Sequence, residues 1–234
     1  MANDLHADNS MDGNNVYIFT SINDETTSSL IKALSKWVQT KSMPKQIENK
    51  KDDKDQKNSN KKTNETEIIQ PSKKIIMPYD KWPEDKPLLN IYVNSPGGTV
   101  YTMMAILTLI HMAKANGSIV RTFNLAWAAS AASIITISGS KGYRYMAEDA
   151  LTYIHFGRTG VIAERQDEIE FKIRNITEHS KVLQKQYLQN TGVTQKELDQ
   201  YFNVEASGQL GAKECLEKRI CDWIITNDGK YISR

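Results

Sequence analysis

The nucleophilic chemistry this sequence offers rests on a serine among alanines and a histidine at the end of an apolar run. Ser130 lies within Ala128-Ala129-Ser130-Ala131-Ala132-Ser133, after a strand-like segment and at the start of a run of small and apolar residues. Small neighbours let a helix N-terminus pack closely on a sheet. Ser130 would then sit at the exposed first turn, where backbone amides and the helix dipole favour negative charge. A serine there can be a nucleophile or an ordinary N-cap, and the residue alone does not choose. His155 follows residues 151–154 (LTYI) and precedes Phe156-Gly157. That position suits a general base, and equally a structural histidine bonded to a carbonyl. Pro96-Gly97-Gly98 stands between a strand and a helix. Its glycines allow close backbone approach and leave N–H groups to hold an oxyanion, or they simply make a tight turn. His6, His111 and His179 have no Cys or acidic partner at ligand spacing, so no metal site is expected.

The elements that must position these groups alternate between strand and helix. Strands are expected at residues 16–21, 89–93, 119–125, 143–146, 151–154 and 222–225. Helices are expected at 28–38, 100–115, 129–137 and 164–189, with helical turns at 194–201 and 212–218. Such alternation implies βαβ crossovers and a mainly parallel sheet, an α/β fold. Residues 1–15, rich in Asn and Asp, read as a disordered leader. Residues 44–67 (PKQIENKKDDKDQKNSNKKTNETE) read as a disordered insertion, since Ile47 is their only large apolar side chain. One domain is therefore expected from residues 16–43 and 68–234.

Composition narrows the function classes. The 234 residues are 39% hydrophobic and carry 30 basic against 28 acidic side chains, a net charge of +2. No global charge points to nucleic acid, and acids interspersed with the lysines of the insertion make it a poor basic patch. No apolar run has the length to span a bilayer, and the polar N-terminus is unlike a signal peptide. Two cysteines, Cys215 and Cys221, without a secretory segment read as free thiols in a reducing cytoplasm.

Taken together, the blocks resemble the ClpP peptidase family. LNIYVNSPGGTVYTMMAI is similar to that family's strand ending in NSPGG and leading into a helix. AWAASAASIITISGSKGYRYM resembles its nucleophile segment, and LTYIHFG its catalytic-histidine segment about two dozen residues on. The helix at 164–189 matches the handle helix that interlocks two heptameric rings. The resemblance covers roughly residues 16–42 and 88–225.

It implies the ClpP/crotonase-type spiral of ββα units, with a protruding handle helix. It also implies a serine endopeptidase cleaving unfolded polypeptides inside a chamber of stacked heptameric rings, without a cofactor. Carried over, Ser130 is the nucleophile, His155 the base, and the N–H groups of Gly98 and Ala131 the oxyanion hole. An AAA+ unfoldase is the implied partner, and the insertion with the doubled Ala-Ala-Ser resembles phage-encoded members. Three departures stand out. The family's aspartate falls, without gaps, on Ser207; a small local shift would supply Glu205 or Asn203, with Glu205 first because it carries charge. Phe156-Gly157-Arg158-Thr159-Gly160 replaces the family's Gln-Pro and glycine pair. Ala126 replaces a glycine and is followed by Trp127, which either narrows the substrate pocket or packs on a neighbouring subunit. The departure at the aspartate motivates an alternative, a catalytically impaired ring subunit regulating an active partner. An acyl-CoA enzyme of the crotonase superfamily shares the fold, but the Ser130/His155 pairing argues against it.

Overall fold

The computed structural model describes residues 9–41, 85–155, 165–202 and 208–234. Among the described residues, nine strands form a single sheet. Its main path runs β1 (Ser10–Asp12), β2 (Asn15–Ile18), β3 (Leu88–Ser95), β4 (Ile119–Ala129), β5 (Arg144–Ala147), β8 (Trp223–Ile225) and β9 (Tyr231–Ile232). Off that path, β6 (Leu151–Ile154) pairs with β4, and β7 (Gly208–Gly211) pairs with β6. The pairs β2·β3, β3·β4, β4·β5, β4·β6 and β5·β8 are parallel, as alternating strands and helices require.

The helices are α1 (Asp24–Lys41), α2 (Val100–Ala115), α3 (Ala131–Ile137), α4 (Gln166–Asn190), α5 (Gln195–Tyr201) and α6 (Ala212–Glu217). Helix α1 buries Leu30, Leu34, Trp37 and Val38 at helical spacing, each such side chain contributing about 2 kcal/mol. Asn23 Oδ1 accepts from Thr26 N–H at 2.9 Å, which starts the helix at Asp24, four residues before the expected position. Helix α2 is apolar nearly all round. One side enters the core through Met103, Ile106 and Ile110, while Tyr101, Met104 and Met112 stay exposed.

The expected leader is corrected where it is described. Ser10–Asp12 pairs antiparallel with β2, and the wholly buried Asn9 donates to Ser21 O and accepts from Phe19 and Thr20 N–H. A polar stretch is ordered here because its backbone and amide groups find partners. The expected insertion at 44–67 lies outside the described residues. The strand expected to stop at 125 continues to Ala129, so Ala129 belongs to β4 and not to the following helix.

Two features set the shape of β4. Val93 pairs with Asn124, but Ser95 pairs with Ala128, so β4 spends four residues where β3 spends two. This bulge pushes Leu125 and Ala126 outward and bends the strand. Before the bulge β4 pairs with β5; after it, with β6. Asn124 holds the branch point, its Nδ2 donating to Leu151 O at 3.0 Å and Thr152 Oγ1 at 3.2 Å. Across the sheet, Tyr17, Tyr92, Phe123 and Tyr145 stack in a row with centroids 4.8 to 5.5 Å apart. A buried Arg144–Asp222 pair ties β5 to the approach to β8, and Arg144 Nη1 also donates to Asn190 O at the end of α4.

No helix of the described residues is long and apolar enough to cross a membrane. Both cysteines are free and buried. Burial pushes the Cys215 thiol up to about 12 and the Cys221 thiol well above the ordinary range. Neither thiol should therefore exchange with an aromatic disulfide reagent at pH 8 until the protein unfolds. Rapid reaction of either in the folded protein would contradict this packing.

Candidate active site

The bulge and the strand switch deliver the end of β4 to the carboxyl edge of the sheet, where crossover folds form their crevices. Ser130 is the single residue between β4 and α3, with φ 55° and ψ −123°. That is the left-handed half of backbone space, costly for a residue with a Cβ. It is not the extended conformation of an N-cap, and the Ser130 side chain makes no capping hydrogen bond. The capping role open at the sequence level is thus not the one it performs.

Both peptide groups around Ser130 are held. Its N–H donates to Tyr153 O at 2.9 Å. Its carbonyl accepts from Ser133 N–H at 3.0 Å and from Ser133 Oγ at 2.5 Å. The bond to Tyr153 continues the β4·β6 register, in which Ala129 faces Tyr153. His155 lies two residues beyond Tyr153 along the same strand direction. It is half-buried, with its ring tilted against that of Tyr153 at 5.1 Å.

Gly97 and Gly98 approach from the other side. Ser95 Oγ donates to Thr20 O at 2.6 Å and accepts from Gly97 N–H at 3.1 Å, fixing the turn after β3. Gly97 has φ 91°, and a Cβ there would lie 2.5 Å from Ala129 O, 2.8 Å from Ser130 Cβ and 3.0 Å from Ala131 N. Gly98 has φ 158°, and a Cβ there would fall 2.0 Å from Ile22 O. Only glycine allows the two segments this approach. Ile22 N–H donates to Gly97 O at 2.8 Å and Thr99 N–H to Ile22 O at 2.7 Å, a parallel bridge. In that pattern the intervening residue, Gly98, turns its own N–H away from Ile22.

Gly98, Ser130, Ala131 and His155 all line one cleft of about 500 Å³. Its remaining walls are the start of α2, with Thr99, Val100 and Tyr101, and the flank of α4 from Lys172 to Leu183. Four of the five residues expected to do chemistry are therefore brought together. The fifth, Glu205, lies outside the described residues, as do Asn203 and Ser207. The next described residue, Gly208, pairs with Ile154, the neighbour of His155. Trp127 stacks on Tyr153 at 5.8 Å and is not among the described residues lining the cleft.

Lining residues from α4, including Lys172, Asn175 and His179, were not foreseen; the pattern of α4 signals its apolar stripe and not which flank meets α2. Tyr101 and His179 meet edge to face at 4.8 Å across that gap.

Comparison with known proteins identifies the family of the fold. The family model described as Clp protease matches residues 64–228, well over half of the chain. The "ATP-dependent Clp protease proteolytic subunit" of Streptococcus uberis is 33% identical over 140 residues, covering 59% of this chain and 68% of that protein. The subunit of the same name from Streptococcus pneumoniae (strain Hungary19A-6) is 30% identical over 140 residues, with the same coverage of both chains. With its α/β sheet, glycine turn and long α4, the chain belongs to the Clp protease family and has that family's fold, the fold of a peptide-bond hydrolase.

Proposed function

We propose that the protein is a serine endopeptidase that cleaves unfolded polypeptides at the Ser130–His155 cleft. The observation that carries this reading is Ser130 itself, held at φ 55° with no capping bond, in the same cleft as His155. In the proposed reaction Ser130 Oγ attacks the peptide carbonyl carbon as its proton passes to His155. The carbonyl π pair moves onto oxygen, and the N–H groups of Gly98 and Ala131 stabilise the resulting oxyanion. Protonated His155 then gives its proton to the leaving amine as the C–N bond breaks. Water, deprotonated by His155, attacks the acyl-enzyme, and the proton returns to Ser130 Oγ. Glu205 is proposed to orient His155. Supporting this, the chain three residues after Glu205 pairs with the residue before His155.

The assembly belongs to the same proposal: paired heptameric rings enclosing the clefts, fed by an AAA+ unfoldase. The first half of α4 supports it: Ile169 and Ile173, four residues apart on one face, are exposed, and so is Phe171, apolar side chains left uncovered among the described residues. The exposed Tyr101, Met104 and Met112 of α2 offer further apolar surface to a second copy. The relatives' names, which call their activity ATP-dependent, support the unfoldase. Cytoplasmic residence is proposed with it, consistent with the two unpaired thiols.

Two variants test the reading. Ser130→Ala should abolish hydrolysis of an unfolded fluorescent polypeptide while sedimenting as the same assembly; retained hydrolysis would sink the proposal. Wild-type rings that hydrolyse nothing would instead favour a regulatory subunit. Gly97→Ala should lower hydrolysis at least about a hundredfold, the scale of losing one oxyanion donor, because the added Cβ displaces Ser130 and crowds the Ala131 amide. Unchanged hydrolysis in that variant would contradict the close approach of the turn.

A further inference from the structure

Two buried hydroxyls beneath Ser130 are not used in this chemistry. Ser133 is wholly buried, and Tyr187 of α4 is 2% exposed. Their oxygens lie 2.5 Å apart, joining residues 54 positions apart in the chain. The direction of the hydrogen bonds follows from counting protons. The Ser130 carbonyl can only accept, so Ser133 Oγ spends its single proton on it. Tyr187 must then donate to Ser133 Oγ. Burial raises the Tyr187 hydroxyl well above the usual phenol range, so the donor keeps its proton. The result is a one-way relay, Tyr187 O–H to Ser133 Oγ–H to Ser130 O=C.

That carbonyl shares a peptide plane with the Ala131 N–H, which points the opposite way across a trans bond. Bonds that pull Ser130 O inward therefore aim the Ala131 N–H outward, and Ala131 lines the cleft. Hydrogen bonds to the carbonyl also polarise the peptide and make its N–H a stronger donor. We infer that Ser133 and Tyr187 are positioning residues that orient and strengthen the Ala131 amide as an oxyanion donor. The inference rests on the proposed role of that amide and assigns this task to a side chain of α4.

The test compares wild type with Tyr187→Phe and with the double variant Ser133→Ala/Tyr187→Phe, in which neither hydroxyl is left stranded. Kinetics with a fluorogenic peptide are measured beside the affinity of a peptide boronate, whose tetrahedral adduct on serine mimics the oxyanion. In the double variant kcat should fall about tenfold, with KM unchanged and boronate affinity reduced by the same factor. Tyr187→Phe should move both in the same direction by a smaller factor. A merely structural role predicts a lower unfolding temperature with kcat and boronate affinity unmoved, and that result overturns the inference. If the double variant does not fold, Tyr187→Phe decides alone, since it removes one oxygen. Unchanged kcat in Tyr187→Phe would defeat the inference and leave the serine peptidase standing. A wild type without hydrolysis would defeat both.

Discussion

The site depends on one strained backbone. A residue with a side chain held at φ 55° costs on the order of 1–3 kcal/mol and persists only where its surroundings over-determine it. Here β6 takes the N–H of Ser130, Ser133 takes its carbonyl, and the Gly97 turn lies against its Cβ. Each restraint comes from a different element, so the conformation survives only in the assembled fold. The strain lifts Ser130 out of the ordinary role of a helix-capping serine and turns it toward the cleft.

The rest of the sheet serves that junction. The bulge at Leu125–Trp127 lets β4 leave β5 and join β6, which brings His155 alongside the β4–α3 turn. The parallel bridge from Ile22 to Gly98 closes the other side and turns the Gly98 amide away from Ile22. Helix α4 has two roles along its length. Its second half packs on α3, with Leu183 and Tyr187 buried and Tyr187 bonded to Ser133, while its first half lines the cleft on one flank and exposes Ile169, Phe171 and Ile173 elsewhere. A side chain bonded beneath Ser130 and the surface proposed to meet another subunit thus lie on one helix.

Much of this was legible in the sequence, for particular reasons. Ser130, His155, Gly98 and Ala131 could be singled out because each sits where a strand changes into a turn or helix, while the roles expected of them came from the family resemblance alone. β7 went unseen because Gly-Gln-Leu-Gly has neither β-branched nor aromatic residues; it is a strand only because β6 offers it an edge. β1 escaped for the same reason, a polar segment ordered by pairing and by the buried Asn9. Ala128 and Ala129 look helical by propensity, yet sheet pairing holds them in β4. The Ser133–Tyr187 bond was beyond reading, since Tyr187 fits the apolar stripe of α4 and nothing local marks its hydroxyl as a donor.

In the proposed reaction the fold activates Ser130. The most direct measurement is reaction of the purified, assembled protein with a fluorescent fluorophosphonate, with the modified residue located by peptide mass spectrometry. A single adduct on Ser130 is expected, lost on unfolding and on replacement of His155 by Ala. No adduct on Ser130 in an intact assembly, or an adduct insensitive to His155, would contradict it.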